Sequence, residues 1–188
     1  MSRNPFYELE NAFRALLESI DGIDEEALQN TPRRAALFYQ EFLTGYRENA
    51  ELGVCFDVET LGDMVISRHI PFESLCQHHL LPFYGYVSIG YVTGRGKVVG
   101  VSKLARLVHK YSHRLQLQEA MTSQIADELW NNVKGNSNTG GVMVVVRAVH
   151  LCEKIRGVKS DGEMVTSAVR GVFEVKPEAR DEFLKLAT

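Results

Sequence analysis

No apolar run in this chain approaches the ~20 residues that a membrane-spanning helix needs. Met1-Ser2-Arg3-Asn4-Pro5 leads into acidic residues rather than a signal-peptide core, so a cytoplasmic location without membrane attachment is the expectation. Cysteine is scarce. Three cysteines among 188 residues cannot all pair within the chain, and with no secretory signal a metal or a free thiol is favoured over a disulfide framework. Net positive charge is missing too. A formal charge of −3 excludes the global basic field that nucleic acid attracts. There is no internal repeat and no low-complexity tract. What is present is 45% apolar residues, enough for a real core in one structural unit. A helical region, 1–48, precedes the main domain, 49–188.

One absence is local. From Ser74 to Gln118 there is no Asp or Glu, while Arg95, Lys97, Lys103, Arg106, Lys110 and Arg114 all fall there. Two readings fit: a solvated basic helix, or a pocket for an anion.

Phe6 to Ile20 has the three- and four-residue apolar spacing of an amphipathic helix, ended by Asp21-Gly22. Thr31-Pro32 predicts the start of a second helix, with Thr31 as N-cap; Gly45 stops it. Arg33 and Arg34 then sit in its first turn, where the helix dipole disfavours cations. Cys55 has no second cysteine or histidine nearby and reads as a packing residue or free thiol. Met64 to Phe72 and Phe83 to Val92 read as strands. Thr93-Gly94-Arg95-Gly96 predicts a turn, with Lys97 to Val101 returning as a hairpin partner.

Ser102 predicts a helix cap. Leu104, Leu107, Val108, Tyr111 and Leu115 form the buried stripe of that helix, and Lys103, Arg106, Lys110 and Arg114 form another. A helix N-terminus with a hydroxyl and a lysine suits a phosphate. A further helix carries Met121, Ile125, Ala126, Leu129, Trp130 and Val133 inward. Gly135 to Gly141 is a flexible connection. Val142 to Ala148 reads as a buried strand delivering His150 and Cys152 at its end. A last strand, Met164 to Glu174, and a short helix, Pro177 to Leu186, close the chain. This order predicts an α+β fold, an antiparallel sheet with helices packed on one face.

The chemistry gathers at Cys76-Gln77-His78-His79. Cys76 and His79 have chelating spacing, and Cys152 offers a third ligand. Zinc favours four ligands, and a catalytic zinc keeps one place for water. His78 or His150 could instead close the site as a fourth protein ligand, and the residues leave both forms open. A histidine outside the ligand set can move protons, which makes His78 and His150 candidates. Glu119 ends the acid-free stretch. It reads either as a salt-bridge partner of the cations or as an acceptor for the paired N–H groups of a guanine edge.

These residues also carry a family resemblance. Ser74-Leu-Cys-Gln-His-His-Leu-Leu-Pro-Phe, Val101-Ser-Lys-Leu-Ala-Arg-Leu, Arg114-Leu-Gln-Leu-Gln-Glu119, His150-Leu-Cys and Arg156-Gly resemble the signature blocks of GTP cyclohydrolase I. Thr31-Pro-Arg-Arg34 and Thr166-Ser167 resemble others, and the blocks follow the family order. The resemblance implies the tunnelling fold (T-fold) and a toroidal homodecamer with sites between subunits. It implies conversion of GTP and water to 7,8-dihydroneopterin triphosphate and formate, the opening step of folate, biopterin or deazaguanine routes. By position, Cys76, His79 and Cys152 resemble the Zn2+ ligands, and His78 and His150 the proton carriers. Ser102 and Lys103 resemble residues near the triphosphate and ribose, with Ser102 counted with the catalytic group. Arg34, Arg106 and Arg156 resemble triphosphate contacts, and Gln118 and Glu119 the guanine-recognition pair. Gln77 departs from the family's usual Glu. That departure keeps one alternative in view, a GTP- or pterin-binding homologue with weakened catalysis acting in assembly or regulation; a separate alternative is a partial activity stopping at the ring-opened formamide.

Overall fold

The computed structural model describes residues 5–47, 55–57, 63–93, 97–134 and 139–187. The tip of the predicted turn at Gly94–Gly96, most of the Gly135–Gly141 connection and most of Ala50–Asp63 lie outside the described residues. The chain divides into two compact units, Met1–Thr44 and Gly45–Thr188.

In the first unit α1, Pro5–Glu18, is followed by α2, Glu25–Phe42. The expected start of α2 at Thr31-Pro32 is wrong. The Asp24 side chain accepts from the Ala27 N–H at 2.7 Å and caps the helix, and Glu25 and Glu26 complement the dipole in the first turn. Pro32 therefore lies inside α2, where its ring nitrogen cannot donate to the Leu28 carbonyl. Arg14 from α1 donates to that carbonyl at 3.1 Å. Arg33 and Arg34 sit in mid-helix, so the dipole argument against them does not apply.

The second unit is built on a five-stranded sheet. After β1, Cys55–Asp57, come β2, Met64–Cys76, and β3, Pro82–Val92. Next are β4, Lys97–Val99, α3, Val101–Ser112, β5, Leu115–Gln116, and α4, Gln118–Val133. The chain finishes with β6, Gly141–His150, α5, Leu151–Lys154, β7, Met164–Gly171, α6, Val172–Val175, and α7, Pro177–Ala187. The sheet order is β5-β2-β3-β6-β7, antiparallel except for the β2–β5 pair.

Four local expectations need correction. β4 pairs with β1, not with β3, because β3 already has β2 on one side and β6 on the other. The N-cap of α3 is Gly100, and Ser102 lies one residue inside the helix. Leu115 leaves that helix to pair beside β2. The last strand stops at Gly171 (φ 64°), where the chain turns into α6.

The expectation that helices cover one face is also corrected. Val142, Val144 and Val146 of β6 pack with Leu104, Leu107, Met121, Ile125 and Leu129 of α3 and α4. Met143 and Val145 point the other way and pack with Phe173 and Phe183 of α6 and α7. Alternating residues of a strand face opposite sides, so helices cover both faces.

Candidate metal centre and active site

The site forms where β2, β3 and β6 end together. β2 runs to Cys76, and the chain turns back tightly into β3. The Cys76 N–H donates to Leu81 O at 2.9 Å, and the Leu80 N–H donates to Cys76 O at 2.8 Å. Leu80 takes a left-handed φ of 57° to close this loop. The Gln77 N–H donates to Gln116 O at 3.1 Å, tying the loop to β5. Three residues on, His79 folds back over Cys76, with Nδ1 3.8 Å from Sγ.

Cys152 reaches the same corner from the opposite side of β3. It comes from the single turn of α5, not from a strand end as the apolar run suggested. The ligand atoms of Cys76, His79 and Cys152 all lie within 4.8 Å of one another. Zinc at ~2.3 Å from sulfur and ~2.0–2.1 Å from nitrogen, with tetrahedral angles, sets an S···N separation of about 3.6 Å. The observed 3.8 Å fits that donor set closely. Cys76 is buried, Cys152 half-buried and His79 exposed, so the trio opens on one side. Burial pushes the Cys152 thiol above its ordinary range, and the adjacent Cys76 adds to this; Arg156 opposes it.

His150 stands beside this trio. It pairs directly across the sheet with Phe83, and their rings stack at 4.5 Å with an interplanar angle of 5°. Burial lowers the pKa of its imidazole, while Glu119 and Glu153 pull it back up. The neutral form is therefore favoured at physiological pH, as suits a group that must accept a proton. His150 Nε2 lies 2.8 Å from Gln118 Oε1.

The other expected site residues divide. Glu119 is exposed at the start of α4, close enough for its charge to act on His150. Gln118 is 1% exposed, and its amide is bonded within the fold, so only Glu119 of the pair presents its side chain to solvent. His78 is exposed and meets His79 edge to face at 6.2 Å. Arg156 is exposed just beyond α5. Ser102, Lys103 and Arg106 lie on the first two turns of α3, and none bonds to the thiol–imidazole trio among the described residues. Arg34 is exposed on α2, in the other unit.

The basic stripe of α3 also divides. Lys110 pairs with Glu128 at 2.6 Å, and Tyr111 donates to the same carboxylate at 2.5 Å. Arg114 donates to Gly45 O at 2.9 Å and lies over the rings of Tyr46 and Tyr111. A Cβ at Gly45 would collide with the carbonyl oxygens of Lys110 and His113, so only glycine admits this approach. Lys110 and Arg114 thus brace the fold. Lys103 and Arg106 form no ion pair among the described residues and remain available to an anion. The sequence assigned no role to Phe83, Thr122 or Thr166 as supports of the site, although Phe83 and Thr166 stand in the family-like blocks. What each supports depends on cross-strand and strand-to-helix pairing, which no local spacing displays.

An α+β protein that brings two thiols and an imidazole to one sheet corner, with a half-buried histidine held beside them, has the donor set with which an enzyme of the metal-dependent class could hold its ion. The family model for GTP cyclohydrolase I matches residues 9–188. A GTP cyclohydrolase 1 of Pelotomaculum thermopropionicum is 44% identical over 184 residues, covering 96% of this chain and 95% of the relative. One of Hyperthermus butylicus is 44% identical over 180 residues, 95% of this chain and 89% of the relative. One of Dehalococcoides mccartyi is 47% identical over 167 residues, 87% and 86% respectively. The chain belongs to the GTP cyclohydrolase I family.

Proposed function

We propose that this enzyme converts GTP and water to 7,8-dihydroneopterin triphosphate and formate, with zinc held by Cys76, His79 and Cys152. The observation that carries the reading is the convergence of those three donors within 4.8 Å, next to a histidine outside the ligand set. Zinc bound there would supply Lewis acidity and bring the pKa of a ligated water down to about 7.

The chain's own residues supply the rest. His150, kept neutral by burial, takes and returns protons as the C8–N bonds of the guanine imidazole ring open. His78, exposed on the same loop, is the second proton carrier. Glu119 offers a carboxylate to the paired N–H groups of the guanine edge, a bidentate contact that selects the base. Lys103, Arg106 and Arg156 are the triphosphate contacts, with Ser102 beside them in the first turn of α3.

We also propose the T-fold and a toroidal homodecamer with sites shared between subunits, an N-terminal helical region over 1–48 and a catalytic domain over 49–188. Two observations support the assembly. Among the described residues β7 is the outer strand of the five-stranded sheet, with no further strand beside it, and it carries exposed Val165; such an edge invites another chain. Ser102 and Arg106 make no bond to the metal trio among the described residues, as expected of residues that serve a neighbouring subunit's site. No helix among the described residues is long and apolar enough to cross a membrane, and a cytoplasmic location is part of the same proposal.

The test is GTP turnover by zinc-loaded, zinc-stripped and Cys152→Ala protein, with pterin read by fluorescence after oxidation. Pterin should form only in the first and return when zinc is restored to the second. Loaded protein that binds zinc yet leaves GTP untouched would refute the reading.

A further inference from the structure

Gln118 opens α4 with its side chain buried. Its Nε2 lies 3.2 Å from Val146 O, 3.0 Å from Met164 O and 3.1 Å from Thr166 Oγ1. Backbone carbonyls only accept, so the amide nitrogen has to face them. The opposite orientation would set oxygen against two carbonyl oxygens with no proton between. Oε1 consequently faces His150.

The two threonines complete the assignment. Thr122 donates to Gln118 O at 2.6 Å, which uses its only proton. The 2.7 Å contact between Thr122 Oγ1 and Thr166 Oγ1 must then be donated by Thr166. Thr166 Oγ1 is left to accept from Gln118. Both threonine hydroxyl protons are thereby assigned, and the two protons of the Gln118 amide are shared among its three acceptors.

An amide oxygen only accepts, so the 2.8 Å contact requires the hydrogen on His150 Nε2. A neutral His150 then has its lone pair on Nδ1. A half-turn of the ring would put carbon against Oε1 and break the contact. Phe83 fixes the ring plane from β3, while Gln118 fixes its flip and tautomer from α4. We propose that Gln118 is a positioning residue, holding His150 in one ring orientation as the Nε2–H tautomer through bonds anchored on Val146, Met164 and Thr166.

The proposal rests on the reading of His150 as a proton carrier and replaces a base-contacting role for the Gln118 side chain. A partner that orients a site histidine typically changes activity about 10- to 100-fold when removed. Gln118→Met keeps the length and loses the acceptor. Gln118→Glu, protonated against the carbonyls, keeps an oxygen towards Nε2.

The test joins neutron diffraction to kinetics on the zinc-loaded full chain. In deuterium-exchanged wild-type crystals at mildly alkaline pH, deuterium should appear on His150 Nε2 and not on Nδ1. In Gln118→Met that preference should be lost, with kcat down about 10- to 100-fold and KM for GTP little changed. Gln118→Glu should recover most of both. Should Gln118→Met fail to fold, Thr166→Val cuts the same chain one bond away and should give a smaller shift in the same direction. Deuterium on Nδ1 of the wild type would overturn the proposal. So would a raised KM with kcat unchanged in Gln118→Met, which would make Gln118 a substrate contact. If GTP is not a substrate at all, the functional reading falls while the neutron map still decides the Gln118–His150 link.

Discussion

Cys152→Ala should change how metal affinity depends on pH, not only how strong it is. A cysteine ligates as thiolate, so each cysteine ligand releases at most one proton on binding. Burial holds the Cys152 thiol high, with Cys76 adding to it. Cys152 is therefore protonated through neutral pH and gives up close to one full proton. The proton is bound in the free protein and absent from the complex, so affinity rises as pH rises. Two thiolate ligands cap the release at two protons, or up to about 100-fold in affinity per pH unit, ~2.7 kcal/mol. Removing Cys152 lowers the cap to one proton, about tenfold per unit. The assay is competition for zinc between the protein and a chelator of known proton affinity. It belongs above about pH 7, where an ordinary imidazole is already neutral. Proton release measured in two buffers of different ionisation enthalpy gives an independent count. Equal slopes for wild type and Cys152→Ala would refute Cys152 as a ligand.

Phe83→Leu should lose the stacking on His150 and open a small void, costing about 1–3 kcal/mol in chemical denaturation, and should lower kcat more than KM because the ring plane is freed. Arg14→Met should cost about 1 kcal/mol by stranding the Leu28 carbonyl; in a Pro32→Ala background, which restores the helical N–H, a thermal-melt cycle should show that cost largely gone. Glu128→Gln should weaken the Lys110 and Tyr111 contacts and cost about 1–3 kcal/mol, read by denaturation, and a cost near zero would show that α3 is held by apolar packing alone.

The legible and hidden parts of this molecule separate by distance along the chain. Cys76 and His79 could be read directly, because a tight loop keeps residues three apart together. His150-Leu-Cys152 announced its chemistry but not its conformation, since a one-turn helix leaves no periodic pattern. Lys110 and Arg114 looked like members of an anion-binding stripe because their partners, Glu128, Gly45 and Tyr46, come from other segments. Thr31-Pro32 mimicked a helix start so well that it masked Asp24, whose cap is followed by two glutamates before the first apolar residues, Ala27 and Leu28. The second helical layer was hidden in plain view. An unbroken Val142–Val146 run means a strand covered on both faces, and α6 and α7 provide the second cover. Gln118 stood in a family block, but its inward orientation depends on acceptors from β6 and β7 that only the fold brings together.

The central claim is that the Cys76–His79–Cys152 corner opens the imidazole ring of GTP and expels one carbon as formate. GTP labelled with carbon-13 at C8, incubated with the zinc-loaded protein, tests it most directly. The label should leave entirely as formate, and the pterin triphosphate should carry none. Label retained in intact GTP, or stopped in a ring-opened formamide, would contradict it.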